Sequence, residues 1–181
     1  MTQVSEFSRV IKLDRLPQDA VTITATSDEV AALARRFGLP SVKNLSATVT
    51  LACEGREIGV SGTLIADVEQ ACAISGEPFA NHIVEPIAFR FVPRTDGSST
   101  ASPDEEIELD SDQLDEIEYD EAAFDLGEAI AQSLALAIDP YATGPDAEIL
   151  RREQGITGDD APSGPFAALA QLKDMGTDAD R

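Results

Sequence analysis

Between residues 45 and 92 apolar side chains recur at almost every second position, and this pattern constrains the fold more than any other feature of the chain. A period of two puts one side of a strand against a core and leaves the other wet, so the stretch reads as an antiparallel meander. Val49, Leu51 and Cys53 share one face, and Glu54-Gly55 offers a two-residue hairpin turn. The return strand carries Ile58, Val60, Leu64, Ala66, Val68, Cys72 and Ile74 on one face. So long a run cannot stay flat, and Gly59 and Gly62 are the expected bulge or bend. Ser75-Gly76-Glu77-Pro78 reverses the chain again, and a last strand over residues 79–92 turns Ile87, Phe89 and Phe91 inward.

Helical signals flank this meander. Two short strands are expected first, at residues 7–13 and 21–25. Thr26 and Glu29 then have the spacing of a capping box, in which each side chain satisfies a free backbone donor of a new helix. Asp28 and Glu29 suit its positive end, Arg35 and Arg36 its negative end, and Gly38 supplies the left-handed stop. Val30, Leu33 and Phe37 are its expected buried stripe. Asp125 and Glu128 repeat the capping-box spacing before Ile130, Leu134 and Ile138, and Asp139-Pro140 ends this second helix. Residues 141–164 read as a loop with one short ordered piece at Ile149-Leu-Arg-Arg152. Residues 165–173 are expected to form a short helix with Phe166, Leu169 and Leu172 on one side. The expected fold is α+β: a curled antiparallel meander covered by two main helices, with an acidic linker at 93–123. Residues 1–175 make one domain and 176–181 a disordered tail.

Charge is concentrated in one place. The 181 residues hold 13 Lys and Arg against 34 Asp and Glu, a net charge of −21. Residues 95–150 hold 17 of those acids and no Lys or Arg, so they supply −17 of the total. The acids are densest at Asp104, Glu105, Glu106, Glu108, Asp110, Asp112, Asp115, Glu116 and Glu118. Alternation at Ile107/Leu109 and Ile117/Tyr119 suggests edge strands, whereas Leu114/Ile117 suggest a helix; periodicity over so few residues leaves both open. Functionally, the stretch is either a solvated acidic loop or a surface that docks a basic partner. Binding to nucleic acid depends on cations that neutralise phosphates, so DNA is not an expected partner and RNA contact must be local or made through a basic partner. Arg35, Arg36, Lys43, Arg90 and Arg94 are the candidates for such contact, with ordinary surface charge as the competing reading.

Catalytic and metal chemistry find little support. Cys53, Cys72 and the single His82 lack Cys-x-x-Cys or His-x-x-x-His spacing, and both cysteines fall at inward strand positions where structural burial is the simpler role. A Cys72/His82 nucleophile pair lacks a third, orienting group. Asp110 and Asp112 resemble the start of a calcium loop without its glycine. No phosphate-binding glycine motif is present. An enzyme using paired carboxylates, metal-dependent or hydrolytic, remains the alternative class. No apolar run reaches the roughly 20 residues of a membrane span. The N-terminal residues lack a signal-peptide pattern, which predicts a cytoplasmic protein with free thiols.

Three motifs occur in a telling order: DVEQACAISGEPF at residues 67–79, FDLGE at 124–128 leading through LAL at 134–136 to Asp139-Pro140, and PFAAL at 165–169 followed by Leu172-Lys173. Together they resemble the bacterial YceD-like family, the large ribosomal RNA subunit accumulation proteins, over residues 5–175. The matched positions are Cys72, Glu77, Pro78, Asp125, Leu126, Gly127 and Glu128. The resemblance implies a non-enzymatic role in 23S ribosomal RNA accumulation and large-subunit assembly, near a basic large-subunit protein or a precursor particle. Members often carry Cys-x-x-Cys where this chain has Cys72 and Ser75, so a cysteine-bound zinc is not carried over and no cofactor is expected.

Overall fold

A computed structural model describes residues 5–94, 115–120 and 122–154. Its centre is a five-stranded sheet in the order β2-β3-β4-β5-β6, made by Val21–Thr24, Ser41–Glu54, Glu57–Ala71, Pro78–Pro93 and Glu116–Tyr119. The first four strands are antiparallel neighbours. β6 instead runs parallel to β5, with Arg90 beside Glu116 and Pro93 beside Tyr119. The sheet is therefore not wholly an antiparallel meander, because its last strand returns after a long connection. A second small sheet pairs β1 (Val10–Lys12) with β7 (Ala123–Asp125), also antiparallel. β6 and the start of β7 thus lie within the segment expected to be a linker.

Three α-helices lie among the described residues: α1 (Ser27–Phe37), α2 (Leu126–Ala137) and α3 (Ala147–Glu153). Both halves of the expected capping box open α1. Thr26 accepts the Glu29 N–H, Glu29 accepts the Thr26 N–H at 2.7 Å, and Gly38 closes the helix at φ 66°. One core gathers Leu33 from α1, Ala129, Ile130, Ala131 and Leu134 from α2, and the inward side chains of β3, β4 and β5. Phe7 is fully buried among them, and Phe91 and Phe124 stack with centroids 4.3 Å apart. Of the stripe expected on α1, Leu33 is fully buried, whereas Val30 and Phe37 are half-buried.

Several local expectations are corrected. The hairpin loop is Gly55-Arg56, with Gly55 at φ 69° and Glu54 opposite Glu57. Gly59 and Gly62 mark no bulge, since β4 pairs without a break through both. Gly62 serves a close approach instead: a Cβ there would lie 2.7 Å from the Val49 Cα and would collide with the Thr48 carbonyl. The register shift falls in β3 between Val42 and Asn44, and it lets Val42 and Leu45 both face the core despite their opposite parity. Cys53 is exposed although its β4 partner Ile58 is fully buried, so at this end of the hairpin the core lies under β4 and β5 and no longer under β3. The acids Asp104, Glu105, Glu106, Glu108, Asp110 and Asp112, and the helix expected at 165–173, lie outside the described residues.

Candidate functional site

The FDLGE run forms a junction that ties the amino-terminal segment to both long helices. Phe124 and Leu126 are buried in the core. Between them, the Asp125 carboxylate caps α2 by accepting the Glu128 N–H at 3.2 Å, and it also accepts the Arg9 N–H at 2.7 Å and the Ser8 hydroxyl at 2.6 Å. Gly127 lies directly beneath this segment: a Cβ there would come within 2.8 Å of the Arg9 nitrogen and would strike the Phe7 carbonyl. Glu128 does not close a capping box. Its oxygens take a two-point pair from the Arg36 guanidinium at 2.7 and 2.9 Å and a hydrogen bond from Ser5 at 2.6 Å. Arg36 holds the Glu128 carboxyl down at about 2, aided by Ser5 and Gln132. Nearby, Arg9 pairs through both nitrogens with Glu29, whose carboxyl is also lowered to about 2, and stacks over Phe7 at 4.6 Å.

At the opposite end of the family motifs, the turn after β4 surrounds Cys72. This side chain is 4% exposed. The Ser75 side chain, together with the backbone N–H groups of Ser75, Gly144 and Ile74, draws its thiol down to about 6. Those donors suit a thiolate. With Ser75 where a Cys-x-x-Cys pair would place its second cysteine, this turn offers a metal one thiolate. Glu77 and Pro78 contribute backbone geometry: the Glu77 carbonyl accepts the Cys72 N–H at 2.8 Å, and Pro78 starts β5. Gln70 is the one buried polar side chain among the described residues. It accepts from Asn81 and donates to the Asp139 carbonyl, fastening the end of α2 to the sheet. Its in-facing parity on β4 was the available sequence signal. His82 faces Asp67 at 2.7 Å on the exposed side of the sheet, and the two form no pair with Cys72.

The third region is the β6 edge. Asp115, Glu116 and Glu118 are brought together there, joined by Asp120. Arg94 pairs with Glu118 at 3.1 Å and Asp120 at 2.8 Å, and Arg90 lies 3.3 Å from Glu116 and 3.8 Å from Glu57. Tyr119 points inward and donates its hydroxyl to the Arg56 carbonyl at 2.8 Å.

The five basic candidates do not form one patch. Lys43 sits where β3 pairs with Val68 and Asp67 of β4, whereas Arg90 pairs with Gly59. At roughly 3.3 Å per residue these sites are about 30 Å apart along the strand. Arg36 pairs with Glu128 and Glu6, Lys43 with Glu69 at 2.7 Å, and Arg90 and Arg94 with the β6 acids. Arg35 alone of the five makes no ion pair among the described residues.

Among the described residues no helix is long and apolar enough to cross a membrane. A family model described as large ribosomal RNA subunit accumulation protein YceD matches residues 60–173. No curated protein and no solved structure matches the chain.

Proposed function

The chain belongs to the YceD family, and from that membership we propose that it supports 23S ribosomal RNA accumulation and large-subunit assembly in the cytoplasm, by binding and not by catalysis. Its partner is a basic large-subunit protein, free or within a precursor particle, held by the acidic edge that β6 begins. The observation that carries this reading is the local charge. Asp115, Glu116, Glu118 and Asp120 stand together on one sheet edge, within a stretch that holds acids and no Lys or Arg, and they outnumber Arg90 and Arg94, the two cations that pair with them. Carboxylates on a rim attract cationic partners and exclude anionic ones. The acids that occupy Arg36, Lys43, Arg90 and Arg94 favour a protein partner over direct RNA contact, since a phosphate would have to displace a carboxylate that stays nearby.

The test is sedimentation of the tagged full chain with large-subunit precursors at low and high salt, for the native chain and a variant carrying Asp115→Asn, Glu116→Gln and Glu118→Gln. Association should fall with salt and weaken about tenfold in the variant, in line with lost charge complementarity. Undiminished association in the variant would sink the acidic-docking reading.

A further inference from the structure

One hollow of about 400 Å³ lies between β5 and α2, closed at one end by β6. Ile87, Phe89, Ile117 and Leu136 supply its apolar lining, and Glu85, Asp115 and Glu116 its charge; no Lys or Arg among the described residues lines it. Leu136 is 89% exposed, the most exposed large apolar side chain among the described residues. A lone exposed leucine means nothing, but here it continues a wall with the half-buried Phe89 and Ile117.

The edge of β5 shows how this hollow can be filled. Among the described residues, β6 pairs with residues 90–93 of β5. The Arg90 and Arg94 N–H groups point to that side, donating to Asp115 and Tyr119 carbonyls at 2.9 and 3.0 Å. By the alternation of a strand whose pairing with β4 is unbroken, residue 86 faces the same side, and it is a proline with no N–H. The proline removes one donor from an edge on which Ala88 keeps its own, and so weakens further strand pairing there. The hollow beside it is a place for a side chain.

We propose that this hollow seats one aliphatic side chain of a lysine- or arginine-rich protein segment, with Glu85, Asp115 and Glu116 holding the cations that flank it. The inference rests on the acidic-docking reading and locates its anchor. Acids alone attract any polycation; an apolar seat beside them selects segments with the right side chain between the charges.

The experiment uses isotope-labelled full-length chain and two pentapeptides, both with two lysines on each side of a central residue, which is leucine in one and glycine in the other. Amide shifts are followed by NMR. The leucine peptide should bind about tenfold tighter, the worth of one buried aliphatic side chain after ordering costs, and should move the amides of Ile87, Ala88, Ile117 and Leu136. Leu136→Ser, at a position too exposed to threaten the fold, should bring the two peptides to equal affinity. Equal binding in the native chain, with shifts confined to Glu116 and Glu118, overturns the anchor and leaves acidic docking standing. Binding of neither peptide overturns both. Hollow amides that move with protein concentration alone point to a second copy as the occupant, and amides that respond to Phe166→Asp without peptide point to the chain's own C-terminal segment; either result overturns the proposal.

Discussion

Arg36 and Arg94 each grip two carboxylates at hydrogen-bond distance, yet their surroundings differ. Arg36 lies where the amino-terminal segment crosses both long helices, its side chain 29% exposed and Glu128 25% exposed. Arg94 reaches along the β6 edge, 53% exposed, toward Glu118 and Asp120 at 54% and 64%. In the first place, partial desolvation strengthens the pair, and the pair connects segments 92 residues apart. In the second, water screens the charges and leaves them open to an incoming cation. The same chemistry holds the fold together at the junction and presents a surface at the edge.

The sharpest way to separate the two regions is through glycines that sit in each. Gly127→Ala should cost about 3 kcal/mol, because its Cβ would meet backbone at Phe7 and Arg9 that cannot swing aside. Gly59, in the sheet near the acidic edge, has only the Ala52 carbonyl at 3.8 Å, and Gly59→Ala should stay within about 0.5 kcal/mol. Urea unfolding of both variants measures the contrast, and equal losses would remove the special status of the junction.

Removing the arginines comes next in size. Arg36→Ala leaves Glu128 part-buried without its guanidinium and should lower stability by about 1–3 kcal/mol. Arg94→Ala should cost less than about 0.5 kcal/mol. Denaturant midpoints check both; a larger loss at Arg94 would mean that the edge is structural after all.

Acid titration sharpens the junction further. Glu128 and Glu29 sit at about 2 in the folded chain, below an unfolded value of about 4.3. A depressed carboxyl contributes stability that is fully present above the unfolded value and lost as pH falls toward the folded one. Stability should therefore drop between about pH 4.3 and 2, and Arg36→Ala should make that drop shallower by removing Glu128's share. Thermal melts across this range supply the test, and an identical slope in the variant would assign the acid sensitivity elsewhere.

How much of this could be read beforehand depends on distance along the chain. The cap at Thr26 and Glu29 and the stop at Gly38 were legible because each acts within one turn. The three long strands were legible because core burial repeats every second residue. Asp125 and Glu128 have the same spacing as Thr26 and Glu29, but the Glu128 side chain found a stronger partner in Arg36, from a distant element. Parity also misled at Cys53, where the strand outruns its core, and at Val42, where a bulge changes the face. Gly62 and Gly127 look like flexible positions in sequence; only the neighbouring backbone shows that they are tight. For the candidate site, the acidity was plain, but the parallel return of β6 that places Glu116 and Glu118 beside Arg90 and Arg94 is a pairing between distant segments.

The smallest effect on stability is expected where the functional effect is most specific. Neutralising Glu118 by Glu118→Gln keeps the strand, its inward Tyr119 and the core beneath unchanged, and one surface pair is weakened. Thermal stability should move by less than about 0.5 kcal/mol. Exposed rim charges act mainly by drawing a partner in, so the association rate with a basic large-subunit protein should fall severalfold at low salt and converge with the native rate as salt rises. Stopped-flow association across a salt series measures this. A variant that loses stability but keeps its rate would reverse the assignment, making the β6 edge part of the scaffold and leaving the junction as the only place where an arginine pair has a clear task.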